Sequence, residues 1–332
     1  MAIWSSALAS AVNKEMERAA FAPDNSPLEV LPRDLSAYRQ GNTGIEYVHR
    51  FESGLPGPHV LINALTHGNE ICGMVAATHL LDTGVRPKIG TLTVGFANVE
   101  AYEAFDIERP YENRQLVHNL NRIWSPAMLD SSEDSPELRR ARELRPVLAA
   151  ADSILDIHST RAPVQPFWVY PEFARNAALT LAVGKPLVHL VMPPGAAPGT
   201  GVMSYARHGD PASDSQGAVV VECGQHFARS AADLATDVTL RFLAHHGLID
   251  AIAPQADATP ARRFRLLEVH LVQTPQFAFT RPVIGFETFA KGELIAVDGD
   301  KEIRSPCDDC TIFMPTRDPV VGREGVYLTV QI

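Results

Sequence analysis

An α/β fold with a largely parallel sheet flanked by helices, followed by a small all-β domain, is the architecture this sequence predicts. Three observations carry it. Of 332 residues, 45% are hydrophobic and only 20% charged, which is ample for a sizeable core and unlike chains that stay disordered. Short apolar strands alternate with helical stretches of ten or more residues through His246, the pattern of βαβ layers. From Ile252 to Pro260 an Ala/Pro-rich link changes the rhythm, and only short β-rich segments follow. The expected domains are therefore an α/β domain over 1–255 and a β domain over 256–332.

The elements follow in order. Ala7 to Arg18 reads as an amphipathic helix, succeeded by a stretch punctuated with Pro and Gly. His59 to Leu65 is a short apolar strand, Thr66-His67-Gly68-Asn69 a turn, and Glu70 to Leu81 a helix spaced by Ile71, Met74, Val75, Thr78 and Leu81. Gly90 to Ala97 is a second strand. Pro136 to Ala151, rich in Arg, Glu, Leu and Ala, is a helix leading into the strand Ser153 to Ile157. Gly217 to Glu222 has the composition of a fully buried strand, and Ala231 to His246 that of a helix. In the tail, Phe264 to Gln273, Gln276 to Phe279, Glu293 to Val297, Thr311 to Met314 and Gly325 to Gln331 read as strands.

Composition also excludes functions. Lys and Arg number 29 against 39 Asp and Glu, so the balance is 29 − 39 = −10. With no block of like charges, a nucleic-acid partner is not expected; a small anionic substrate still is, through one or two buried Arg. The best apolar run, Leu179 to Met192, is broken by Lys185, Pro186 and His189, so no membrane span is expected. Neither a secretory leader nor a disulfide framework is evident, and four cysteines fit a reducing, cytoplasmic setting. Oligomeric state is left open.

Chemistry concentrates in a few places. His67 and Glu70, three apart at a strand-to-helix junction, can face one side of the first helical turn. Imidazole and carboxylate suit zinc, and a catalytic zinc takes three protein ligands and keeps one open position. His158, in Asp156-Ile157-His158-Ser159 at the end of its own strand, supplies a third. Glu222 closes an otherwise apolar strand and can serve as a general base. Arg114 and the pair Asn121-Arg122 can polarise a carbonyl and clamp a carboxylate. Singly, each has a plainer alternative: a helix-cap His, a strand-end Glu turned to solvent, a polar surface loop.

In this order and spacing the motifs resemble the succinylglutamate desuccinylase/aspartoacylase family, which belongs with the zinc carboxypeptidases in fold. The resemblance runs from Val60 to His226, and the tail after Pro260 is similar to the family's small β domain. It implies a zinc-carboxypeptidase-like mixed sheet and a lipoyl- or barrel-like tail. It implies one zinc per chain on His67, Glu70 and His158, with Glu222 as general acid/base. It further implies Arg114 on the scissile carbonyl and Asn121 and Arg122 on the substrate's carboxylate. Arg161 is a candidate second anion contact. The implied reaction is hydrolysis of a small N-acyl amino acid or related amide. Departures occur at Asn119, where the family usually has Asp, at Trp124, and at Cys223-Gly224-Gln225-His226; they bear on substrate choice. The competing readings are a zinc carboxypeptidase on short peptides and a non-catalytic binding protein of the same fold.

Other features invite function less strongly. Cys307-Asp-Asp-Cys310 lacks a second Cys pair, so a β-hairpin turn is expected there. Cys72 and Cys223 read as small buried residues. Lys301 sits where a lipoyl-carrier hairpin bears its modified lysine, but its flanks depart from that pattern. The stretch Pro193 to Asp214, with Tyr205 and His208, reads as a lid or pocket wall.

Overall fold

A computed structural model describes residues 26–253 and 259–332. The helix expected over Ala7 to Arg18 and the middle of the link, 254–258, with the expected domain cut, lie outside the described residues. Contacts divide the chain into two compact units. The larger holds Pro27–Arg161 and Gln165–Ala261; the smaller holds Arg262–Ile332 together with Ala162–Val164.

In the larger unit seven strands are ordered β1-β3-β2-β4-β7-β5-β6: β1 is Val48–Glu52, β2 His59–Ala64, β3 Thr91–Phe96, β4 Ser153–Thr160, β5 Phe167–Pro171, β6 Val188–Met192 and β7 Gly217–Gln225. The run β3-β2-β4-β7 is parallel, as is β5-β6; β1 on β3 and β5 on β7 are antiparallel. The sheet is thus mixed and largely parallel. Every residue of β7 is buried, as expected of a strand covered on both faces. One face packs on α1 (Ile71–Asp82) and α4 (Arg229–His245): Val60, Ile62 and Ala64 meet Met74, Ala77, Val238 and Phe242 in one cluster. Leu61 and Ile154 point the other way, to Leu138, Leu144 and Leu148 of α2 (Pro136–Ala150). A further helix, α3 (Ala174–Val183), lies between β5 and β6 in the chain. Among the described residues no helix is long and apolar enough to cross a membrane.

The alternation justifies the parallel order, because a parallel neighbour requires a crossover long enough to return the chain. It also sets the site. The C-terminal ends of β2, β4 and β7 lie side by side, with Asn63 opposite Asp156 and His158 opposite Glu222. In the larger unit the strands and α-helices not expected from sequence are β1, β5, β6 and α3, and the short helices Val99–Glu103 and Pro126–Leu129.

The smaller unit is all β among its described residues. β8 (Arg262–Leu271), β14 (Glu324–Gln331), β13 (Cys310–Phe313) and β10 (Thr288–Phe289) pair antiparallel in that order. β12 (Lys301–Arg304), β11 (Leu294–Asp298) and β9 (Ala278–Phe279) form a second antiparallel set. Phe277, Phe289, Ile295, Ile312, Val326 and Leu328 make its core. The hairpin expectation at Cys307 to Cys310 is corrected: the turn joins β12 to β13, which belong to different sheets. All four cysteines are free thiols. Lys301 is exposed at the start of β12, opposite Asp298.

Candidate active site

The turn after β2 is built under tight constraint. Leu65 is fully buried at φ 59°, a left-handed backbone that a branched side chain adopts only when its surroundings enforce it. Its carbonyl accepts from Asn98 N–H at 2.8 Å. At Gly68 a Cβ would stand 2.4 Å from the Asn113 carbonyl oxygen and 2.5 Å from Ala101 C, so only glycine lets these backbones pass. The Gly68 N–H donates to the Arg114 carbonyl at 3.0 Å. The turn that carries His67 and Glu70 is thereby fastened to the segment that carries Arg114.

His67, Glu70 and His158 converge: one ligand atom from each lies within 4.8 Å of the others, and the three are 1–2% exposed. Asn119 Oδ1 accepts from the Asn121 N–H at 2.9 Å and lies 2.9 Å from His67 Nε2. An amide oxygen only accepts, so His67 carries hydrogen on Nε2 and turns the Nδ1 lone pair toward Glu70 Oε1, 2.8 Å away. His158 Nε2 donates to Asp156 Oδ2 at 2.8 Å, and its Nδ1 lies 2.8 Å from Glu70 Oε2. That Oε2 is buried and makes no hydrogen bond. Two imidazole Nδ1 atoms thus face one carboxylate, acceptor against acceptor, unless a proton or a cation sits between them. The donor set is two nitrogens and a carboxylate, which suits a divalent zinc-like ion. Asp156, fully buried, is itself fixed by donors from Thr66 Oγ1 at 2.7 Å and Asn63 Nδ2 at 2.8 Å, so the imidazole it holds has one orientation.

The charges of His67 and Glu70 agree with that donor set, while His158 would have to give up a proton to join it. Burial, then the Arg114 cation, pushes His67 down to about 4, leaving it neutral as a ligand must be. Burial works against the charge on His158, but Asp156 and Glu70 outweigh it and hold its pKa well above the ordinary value. Burial alone would raise Glu70, yet the two histidines draw it well below the carboxylate range. Arg114 Nη1 donates to Glu70 Oε1 at 3.0 Å.

Glu222 lies opposite His158 in the β4–β7 register, with Oε2 buried and without a partner. Burial and the nearby Glu70 charge push it up to about 8, against the opposing pull of His158 and Arg114. Asn121 is buried, its Oδ1 accepting from Val202 N–H at 2.9 Å. Arg122 Nη1 donates to the Asn121 carbonyl at 2.8 Å. Arg161 stacks its guanidinium 4.5 Å over the Tyr111 ring, and that ring lies 6.1 Å from His226. His226 Nδ1 lies 2.8 Å from Ser159 Oγ, and burial pushes its pKa down to about 3.

Asn119, Asn63 and Thr66 were not singled out as site residues by sequence; no local pattern marks a partner found 52 or 93 residues away. The stretch 193–214, read as a lid or pocket wall, is tied down in its second half. Arg175 Nη atoms hold the His208, Asp210 and Pro211 carbonyls, and buried His208 bonds Ser215 Oγ at 2.7 Å.

Residues 56–234, which contain all the candidate site residues, match the family model described as the succinylglutamate desuccinylase/aspartoacylase catalytic domain. A succinylglutamate desuccinylase from Vibrio vulnificus (strain YJ016) is 26% identical over 301 residues, covering 82% of this chain and 81% of that protein. An N-acyl-aromatic-L-amino acid amidohydrolase (carboxylate-forming) from Rattus norvegicus is 33% identical over 115 residues, 31% of this chain and 34% of the rat protein. The solved structure of a succinylglutamate desuccinylase from Vibrio cholerae superposes with a TM-score of 0.66 at 20% identity over 86% of each chain; the two share a fold.

Proposed function

The chain belongs to the succinylglutamate desuccinylase/aspartoacylase family, and on that premise we propose that it is a zinc-dependent hydrolase of a small, anionic N-acyl amino acid or related amide. The observation that carries the reading is the buried convergence of His67, Glu70 and His158 beside a Glu222 whose buried Oε2 has no partner. The same grouping at the C-terminal ends of β2, β4 and β7 underlies a zinc-carboxypeptidase-like interpretation of the fold. The four free thiols fit a reducing, cytoplasmic setting.

One zinc on His67, Glu70 and His158 would supply Lewis acidity, polarising an acyl oxygen and lowering the pKa of water toward about 7. The chain's own groups do the rest. Glu222 takes the proton of the attacking water and delivers it to the leaving nitrogen. Arg114 stabilises the negative charge that grows on the acyl oxygen. Asn121 and Arg122 grip the substrate's carboxylate, with Arg161 as a second anion contact. Asn119 keeps His67 in the tautomer that leaves Nδ1 free, and Asp156 holds His158 by Nε2 so that Nδ1 is the atom turned to Glu70.

Release of free amine from a panel of N-acyl amino acids tests this, with zinc-loaded and chelator-stripped protein side by side. Metal-dependent release from one substrate class is expected. No release from any member, with about one zinc still bound per chain, would keep the metal site and remove the amidase assignment.

A further inference from the structure

The connection from β6 to β7 runs along the pair Asn121-Arg122. Thr200 bridges Ile123 in parallel: its N–H donates to the Arg122 carbonyl at 3.0 Å, and its carbonyl accepts from Trp124 N–H at 3.0 Å. Two residues on, the Val202 N–H donates to Asn121 Oδ1 at 2.9 Å in a buried bond. A main-chain donor can only face the oxygen, so this bond decides which end of the carboxamide is which. The NH2 end is the one turned away from Val202.

The glycines on either side of Thr200 are there for closeness. At Gly201 a Cβ would lie 2.6 Å from Asn121 Oδ1 and 3.2 Å from the Asn121 carbonyl oxygen. At Gly199, with φ 71°, a Cβ would lie 2.6 Å from the Arg122 carbonyl oxygen. The Asn121 N–H in turn donates to Asn119 Oδ1, the oxygen that also faces His67 Nε2. One continuous set of bonds therefore runs from the 199–202 backbone through Asn121 to a candidate metal ligand.

We infer that Gly199-Thr200-Gly201 is a positioning clamp for Asn121 and Arg122, which fixes the Asn121 carboxamide with its NH2 toward a substrate acceptor such as a carboxylate oxygen. The inference rests on the reading of Asn121 and Arg122 as the carboxylate grip. The three clamp residues touch no reacting atom; they act through Asn121.

The test uses the full zinc-loaded chain, with Gly201→Ala, Asn121→Ala, the double variant, and Gly195→Ala as control. Gly195 lies in the same connection at φ 74°, with nothing within 4 Å of its would-be Cβ. Gly201→Ala is expected to raise KM roughly tenfold with kcat within about threefold and zinc content unchanged, while Gly195→Ala leaves both constants within about twofold. The double variant is expected to be little worse than Asn121→Ala, because the carboxamide oxygen that the added methyl would strike at 2.6 Å is gone and only the 3.2 Å approach to the main-chain carbonyl remains. An unchanged KM for Gly201→Ala, a loss confined to kcat, or multiplied losses in the double variant would each overturn the clamp. Amide hydrogen exchange at Val202 reads the clamp without turnover and without Gly201→Ala: protection in the parent and its loss in Asn121→Ala are expected. A parent that hydrolyses no N-acyl amino acid but shows this protection pattern would fail the functional reading and keep the clamp; an unprotected Val202, or one still protected in Asn121→Ala, would discard the clamp.

Discussion

Glu222 gathers burial and charge at a single carboxyl. Taken out of water and set near Glu70, it is pushed up to about 8, so in the metal-free protein it holds a proton at neutral pH, and a divalent cation beside it would favour the charged form. A base adjustable in this way suits a group that must accept one proton and then give it up. Glu222→Gln keeps the shape and removes the exchange. The expected outcome is a fall in kcat of about 10²- to 10⁴-fold, with metal content unchanged, because Glu222 is outside the ligand set. Steady-state kinetics and elemental analysis check both halves, and full activity in the variant would sink the role. The stability sign runs the other way. A carboxyl whose native value is raised contributes fully below its unfolded value and loses that contribution as pH climbs toward the native one. Metal-free Glu222→Gln should therefore be at least as stable as the parent at pH 7 in a denaturant melt.

At the scale of elements, α2 holds the site as much as the strands do. Ser135 caps it, accepting from Leu138 N–H at 3.1 Å. Glu137 in its first turn is fully buried and takes the N–H groups of Leu116 at 2.6 Å, Val117 at 3.2 Å and His118 at 3.1 Å. Those three residues lie between Arg114 and Asn119, so the helix fixes the loop that carries both. Burial raises the Glu137 carboxyl, but the N–H donors of Leu116, His118, Glu137 itself and Val117 outweigh it and leave the pKa below the usual value. Glu137→Gln turns an NH2 toward those donors and should cost about 2–3 kcal/mol while lowering kcat/KM. The parent's contribution is present above the unfolded value near 4.3 and lost as pH falls through the lowered native value, so the variant should show a shallower acid limb. Unfolding midpoints across pH, read beside kinetics, decide it; a parent-like midpoint and turnover would refute the loop-holding role. This cradle was invisible in the sequence because its donors are main-chain groups about 20 positions away. β2, β4, β7, α1, α2 and α4 were legible because uniform apolar runs and helical spacing persist long enough to be read. β1 buries only its first residue, Val48, at a sheet edge, and β5 spans five residues ending in Pro171, so neither carries a strong apolar signal. The run Leu179 to Met192 hid two elements, the end of α3 and β6, parted by Gly184 at φ 83°. His67, Glu70 and His158 stood out by residue type and spacing; Asn119 did not, since its tie to His67 exists only once the fold has formed.

For the whole molecule, the ligand set is a cross-link that an ion would complete. Glu70 and His158 are 88 positions apart in sequence and meet only when β2 and β4 are paired, so an ion that needs all three groups binds the folded chain and hardly the unfolded one. Such binding adds RT ln(1 + [L]/Kd) to stability, about 4 kcal/mol at a thousandfold excess over Kd. For a unit of this size that corresponds to a rise in Tm of roughly 10 °C. Calorimetric scans with graded zinc, with chelator, and with His158→Ala check this: the rise should follow zinc concentration, reverse with chelator, and be absent in the variant. Proton linkage supplies an independent arm. Asp156 and Glu70 hold the His158 pKa well above its ordinary value in the metal-free protein, and coordination through Nδ1 must expel the proton that this favours. Zinc affinity should therefore increase with pH across the neutral range, and titrations in buffers of different ionisation enthalpy should report proton release. A Tm indifferent to zinc would remove the metal from the mechanism, whereas a zinc-dependent Tm with no proton release would mean that the ion binds without His158.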